Sequence, residues 1–309
     1  MQTARESNEA EAGHKAEASN NAGTSASNRE GASPAPTSPI PAVRITRAFE
    51  EARQRGRGAL LPYFMCGYPS AEQSVRLVLA AIEGGADLVE LGVPFSDPLA
   101  DGVTIQHAGH VALERGMTIN GCMDIARQVA AQSAVPLLFM GYYNPILAYG
   151  IERFCEVASS NGICGLIIPD LPPEEAEPLL EATQKHGLAL VFLLSPTAAD
   201  ERITMVAELT AQEAGGFIYC ASLSGVTGSR SVLPTHLRSF IERVRGYTKE
   251  KAIPLAVGFG LSTPEHIAEV TRYADGAAVG SALVKLIEQH TVDEQVNAVR
   301  TYIRSLTGQ

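Results

Sequence analysis

At 309 residues, 45% of them hydrophobic and 19% charged, the chain has ample material for a sizeable core, as two small domains or one large one. A net charge of −10 at neutral pH argues against a nucleic-acid surface or an anionic membrane, because neither attracts an acidic protein as a whole. No apolar run approaches the roughly 20 residues of a membrane span, and the first residues lack the apolar core of a signal peptide, so a soluble, cytoplasmic protein is expected.

In chain order, residues 1–41 come first, rich in Ala, Ser, Glu, Asn, Gly and Pro and almost without branched aliphatic or aromatic side chains. Such a segment buries too little apolar surface to offset its ordering entropy, and a disordered tail is expected. The acids Glu6, Glu9, Glu11, Glu17 and Glu30 speak against a transit peptide. Ile45 to Arg55 reads as an extra N-terminal helix that would cover the bottom of whatever follows.

Eight short apolar runs come next, at 60–66, 87–93, 136–142, 165–170, 188–194, 216–222, 254–260 and 276–281. Between them lie stretches of helical spacing such as 70–85, 172–187 and 263–274, several opened by an N-capping residue and closed by Gly. Strands that are apolar throughout are covered on both faces, which implies parallel pairing. Eight such units fit an α/β fold of the (β/α)₈ TIM-barrel type, roughly 250 residues in size, as a single domain over 42–309. A doubly wound open sheet is the alternative, but its usual G-x-G-x-x-G turn is missing after the first strand, which ends "CGYPS".

Barrel active sites lie at the carboxyl ends of the strands, where this chain places Glu90, Asn144, Asp170 and Tyr219. Alternation along the second strand sends Leu88, Glu90 and Gly92 to one face and the aliphatic Val89, Leu91 and Val93 to the other, so Glu90 points into the barrel mouth. Desolvation there raises its pKa and suits it to acid–base work, whereas a charged Glu held by hydrogen bonds or a basic partner would be structural. Asp101, on the loop that follows, is expected to be better solvated and to stay ionised.

Glycine-rich turns follow the late strands: "SGVTGSR" at 224–230, "GFGLS" at 258–262, and Gly280–Ser281 leading into a helix. Loops after the last strands and a helix N-terminus commonly cradle a phosphate, which makes Gly228, Gly258, Gly260, Gly280 and Ser281 candidate binding residues, with Tyr219 beside them. The long polar loop at 222–234 reads equally as a lid or as a plain surface loop. The five cysteines are scattered, without metal-ligand spacing, and read as reduced core thiols. His107 and His110 read as a solvated helical face, since no third ligand is spaced to join them and no metal site is assigned.

The segment "ELGVPFSDPLADG", with "GYYNP", "PDLPPEE", "SGVTG", "GFG" and "GSA", resembles the tryptophan synthase alpha subunit family from about Val43 to the C-terminus. The resemblance implies a (β/α)₈ lyase that cleaves indole-3-glycerol phosphate to indole and glyceraldehyde 3-phosphate. Glu90 would be its general acid/base and Asp101 the partner of the indole N–H. It further implies an alpha2beta2 complex with a beta subunit that receives indole and carries pyridoxal phosphate, while this chain needs neither metal nor organic cofactor. Leu223 stands where some relatives carry a basic residue in the lid loop. The rival readings are another phosphosugar barrel, such as an isomerase or an indoleglycerol-phosphate synthase, and a silent subunit that only activates a partner. The segment Glu90 to Asp101 argues against both.

Overall fold

The computed structural model describes residues 40–221, 236–258 and 260–308. The expected tail lies outside the described residues except for Ile40 and Pro41. These two belong to the compact unit Pro39–Gln309 and pack on the turn at Gly187, whose carbonyl accepts the Ala42 N–H at 2.9 Å.

Nine parallel strand segments make one sheet: β1 (Ala59–Met65), β2 (Val89–Gly92), β3 (Leu137–Met140), β4 (Ile163–Ile167), β5 (Ala189–Val191), β6 (Leu193–Leu194), β7 (Ile218–Ala221), β8 (Leu255–Gly258) and β9 (Gly276–Val279). Their order is β5-β4-β3-β2-β1-β9-β8-β7-β6. The two ends of that order, β5 and β6, are consecutive in the chain and separated only by Phe192, so the sheet closes through them. The fold is therefore a (β/α)₈ barrel whose fifth strand pairs with β4 in its first half and with β7 in its second. The Phe192 carbonyl itself accepts the Tyr219 N–H at 2.9 Å.

Helix α1 (Val43–Gln54) seals the N-terminal end of the barrel with Ile45 and Phe49, both buried. The strands make room for it with glycine: a Cβ at Gly276 would stand 2.7 Å from the Phe49 ring, and one at Gly165 3.1 Å from Ile45 Cδ1. At the same end, acids that precede a strand cap the backbone of its neighbour. Asp87 accepts the Leu60 N–H at 2.9 Å and Asp275 the Leu255 N–H at 2.7 Å, each paired with arginine. Fixed charges at this closed end leave the opposite, carboxyl end as the open one.

Helices α2 (Ala71–Glu83) and α3 (Val103–Glu114) follow β1 and β2. Ser70 caps α2 by accepting the Gln73 N–H at 3.2 Å, as its position before the apolar periodicity predicts. His107 and His110 lie on the exposed side of α3, facing Glu288 and Glu114 at 3.9 and 3.1 Å. All five cysteines are buried free thiols. Among the described residues no helix is long and apolar enough to cross a membrane.

Candidate active site

Strand β2 sets Glu90 in register with Tyr63 of β1 and Leu138 of β3. Its side chain points into the barrel, only 1% exposed, while Val89 and Leu91 are buried on the other face. Tyr219, from the far side of the barrel on β7, hydrogen-bonds to the carboxyl group. The other oxygen, Oε1, is buried without a hydrogen-bond partner among the described residues. Burial pushes the carboxyl up to about 8, the tyrosine pulling the other way, so at neutral pH Glu90 is mostly protonated.

Asp101 sits just before Gly102, the N-cap of α3, on a loop folded against β3's continuation. The Tyr142 hydroxyl donates to its carboxylate and accepts the Ala100 N–H at 3.0 Å, and Phe95 lies against the same tyrosine at 5.5 Å between ring centroids. Gln106 Nε2 holds the Asp101 carbonyl at 2.9 Å. Asp101 keeps more solvent than Glu90, 9% exposed against 1%, but it is buried enough that its carboxyl is raised to about 6. It still titrates below Glu90, so near pH 7 one acid is largely neutral and the other largely ionised.

Glu90, Asp101, Tyr219, Gly260, Gly280 and Ser281 line one cleft of about 410 Å³ at the carboxyl ends of the strands. Tyr63, Ile105, Met140 and Ala278 complete it, giving an apolar slot between the two acids and the glycine turns. Gly260 adopts φ 86°, a conformation that favours glycine, and Gly280 is the N-cap of the helix Ser281–Glu288. Backbone N–H groups at such a turn and helix start suit an anion.

Gly258 has a different place: it lies under the Tyr219 ring, and a Cβ there would stand 2.2 Å from the ring and its hydroxyl. Its missing side chain seats the tyrosine that serves Glu90. Gly228, Leu223 and the rest of the expected lid lie outside the described residues. Asp170 accepts the Tyr143 N–H at 3.0 Å and so caps the helix Tyr143–Tyr149, while Asn144 is exposed on the rim. The sequence reading missed Tyr63 and Tyr142. The signal for Tyr142 was available, since "GYYNP" directly follows a strand, whereas β1 is apolar at every position and offers no alternation to single out Tyr63.

Fold and cleft together define a (β/α)₈ barrel whose open end gathers two carboxyl groups of unlike pKa and a glycine turn at a helix start in one cleft. The tryptophan synthase alpha chain family model matches residues 49–307. Tryptophan synthase alpha chains of a Roseiflexus species and of Dehalococcoides mccartyi are 48% and 45% identical, over 86% and 85% of this chain and 99% and 97% of theirs. A solved chain of Mycobacterium tuberculosis tryptophan synthase is 34% identical with a TM-score of 0.77, over 85% of this chain and 96% of that one. The alpha chain from Legionella pneumophila is 32% identical with a TM-score of 0.75, over 86% and 96%. The chain belongs to the tryptophan synthase alpha chain family.

Proposed function

We propose that Glu90 and Asp101 carry the alpha half-reaction of tryptophan synthesis in this chain, the cleavage of indole-3-glycerol phosphate to indole and glyceraldehyde 3-phosphate. The observation that supports this most is the pairing in one cleft of a buried carboxyl, with one oxygen unpartnered, and a second acid of lower pKa. Protonated Glu90 gives its proton to indole C3, and the positive charge that develops on the ring nitrogen is stabilised by the ionised Asp101, which accepts the N–H. Glu90, now a carboxylate, takes the proton of the side-chain hydroxyl next to the ring. The O–H electron pair becomes the aldehyde C=O, the C–C bond breaks, and its pair returns to the ring. Glu90 ends protonated, so the cycle balances with protons alone and asks for no metal or organic cofactor on this chain.

The phosphate fits the turn formed by Gly260, Gly280 and Ser281, with Gly228, outside the described residues, as a further candidate donor, and the indole fits the slot beside Met140 and Ile105. The alpha chain acts with a beta subunit, on which pyridoxal phosphate is expected for the joining of indole to serine. Leu99 and Val103, 87% and 79% exposed at the mouth beside Asp101, are apolar surface suited to meeting that partner.

Mixing the purified chain with indole-3-glycerol phosphate and following indole tests the reading. Cleavage is expected, faster with a beta subunit, which should also protect residues 94–102 from proteolysis. No indole with or without a beta subunit would refute it.

A further inference from the structure

Three tyrosines surround the two acids, and two of their hydroxyls are committed. Tyr219 serves Glu90, and Tyr142 serves Asp101 and the Ala100 N–H. The third, Tyr63, is 7% exposed and lines the cleft, yet among the described residues its hydroxyl meets only the Met65 thioether, at 3.9 Å. Thioether sulfur is a weak acceptor, which leaves a buried O–H donor under-used. The chain makes deliberate room for that hydroxyl: Gly92, two residues beyond Glu90 on the same face of β2, lies beneath it, and a Cβ there would stand 2.0 Å from Tyr63 Oη. Phenylalanine would fill the slot as well by shape, so the glycine accommodates a group whose use lies elsewhere.

Where the hydroxyl sits indicates that use. Tyr63 and Glu90 are register partners on adjacent strands, so both enter the barrel at one level. The other end of the same residue borders the anion turn, its Cβ standing 3.4 Å from where a Gly280 Cβ would be. A substrate with its ring between the acids and its phosphate at Gly280 must lay the connecting glycerol chain along Tyr63. Asp101 and Glu90 both hold the phenol's titration above its ordinary value, after burial itself, so it remains a neutral donor at any working pH.

We infer that the Tyr63 hydroxyl donates a hydrogen bond to a hydroxyl oxygen of the substrate's glycerol chain, fixing that chain beside Glu90 and selecting for a hydroxylated linker; this rests on the cleavage proposed above. A site built to hydrogen-bond a substrate hydroxyl discriminates against the analogue lacking it.

Tyr63→Phe removes the donor and keeps the ring. With indole-3-glycerol phosphate, kcat/KM should fall about tenfold, the scale of one hydrogen bond to an uncharged group. Binding of indole-3-propanol phosphate, whose linker has no hydroxyl groups, should stay within about twofold of the parent, because that ligand never used the donor. Equal weakening toward both ligands would mark Tyr63 as a packing residue and overturn the inference. A parent that yields no indole overturns the cleavage reading and this inference with it. A parent that cleaves, matched by Tyr63→Phe on both ligands, overturns the inference alone.

Discussion

Replacing Glu90 by Gln keeps the shape of the side chain and removes its proton chemistry, and the burial of the site makes two quantities respond. Cleavage should slow by roughly 10² to 10⁴, or about 3 to 5 kcal/mol of barrier, the usual size of a general acid/base contribution. Stability should respond through linkage. The carboxyl titrates near 4.5 when unfolded and at about 8 when folded. Below 4.5 both states hold the proton; from there up to about 8 the unfolded chain releases a proton that the folded one keeps, so wild-type stability falls as pH rises through that window. From 4.5 to pH 7 is 2.5 units, which at about 1.4 kcal/mol per unit, less the rounding at the midpoint, comes to about 3 kcal/mol. Gln does not titrate, so the stability difference between variant and parent should shift by that amount in the variant's favour between the two pH values. The cost of burying the amide, whose atoms inherit the unpartnered Oε1 position, is a constant offset and drops out of the slope. Urea denaturation of both proteins across this range, with indole release measured on the same samples, tests both effects. A difference that does not vary with pH would refute the desolvated carboxyl, and cleavage within a few-fold of the parent would make Glu90 a structural acid.

The pH profile of kcat/KM should be a bell with limbs near 6, where Asp101 must ionise, and near 8, where Glu90 must start protonated; a single limb rising through 8 would mean that Glu90 enters as a base. Asp101→Asn keeps an acceptor for Tyr142 but not the charge, so cleavage should fall by about 10²-fold or more while glycerol phosphate affinity, read by calorimetry, stays put. In Gly280→Val the first carbon meets the Tyr63 Cβ at an ordinary 3.4 Å and the added methyls crowd the anion turn, so glycerol phosphate binding should weaken sharply and Gly280→Ala much less; parent-like binding by the Val variant would place the phosphate elsewhere. Deleting residues 1–39, while keeping the packed Ile40 and Pro41, should leave activity unchanged and Tm within about 2 °C, and a larger drop in a thermal melt would show that the tail contributes to the fold.

What the sequence determined by itself is what depends on local period. Continuous apolar runs separated by amphipathic segments specify buried parallel strands and covering helices, and a repeat of two along β2 suffices to aim Glu90 inward, because neighbouring residues of one strand decide that direction. A glycine followed by a helix start at Gly280 announces a turn suited to an anion for the same local reason. Tertiary structure decided whatever depends on partners distant in the chain. Asp101 looks like a loop acid in sequence, and it is buried because Tyr142, contributed by the next βα unit, holds its carboxylate while the adjoining Ala100 N–H bonds to the same hydroxyl across 42 positions. Gly258 reads as part of a phosphate turn, yet its missing side chain is spent on the Tyr219 ring of the neighbouring strand, just as that of Gly92 is spent on Tyr63. Closing the barrel at a fifth strand that changes partners at Phe192 likewise follows from the meeting of β4 and β7, not from any feature of 188–194. Periodicity fixes which way a side chain points, but its depth, its desolvation and hence its pKa are set by the atoms brought over it, and in a closed barrel those come from strands remote in sequence.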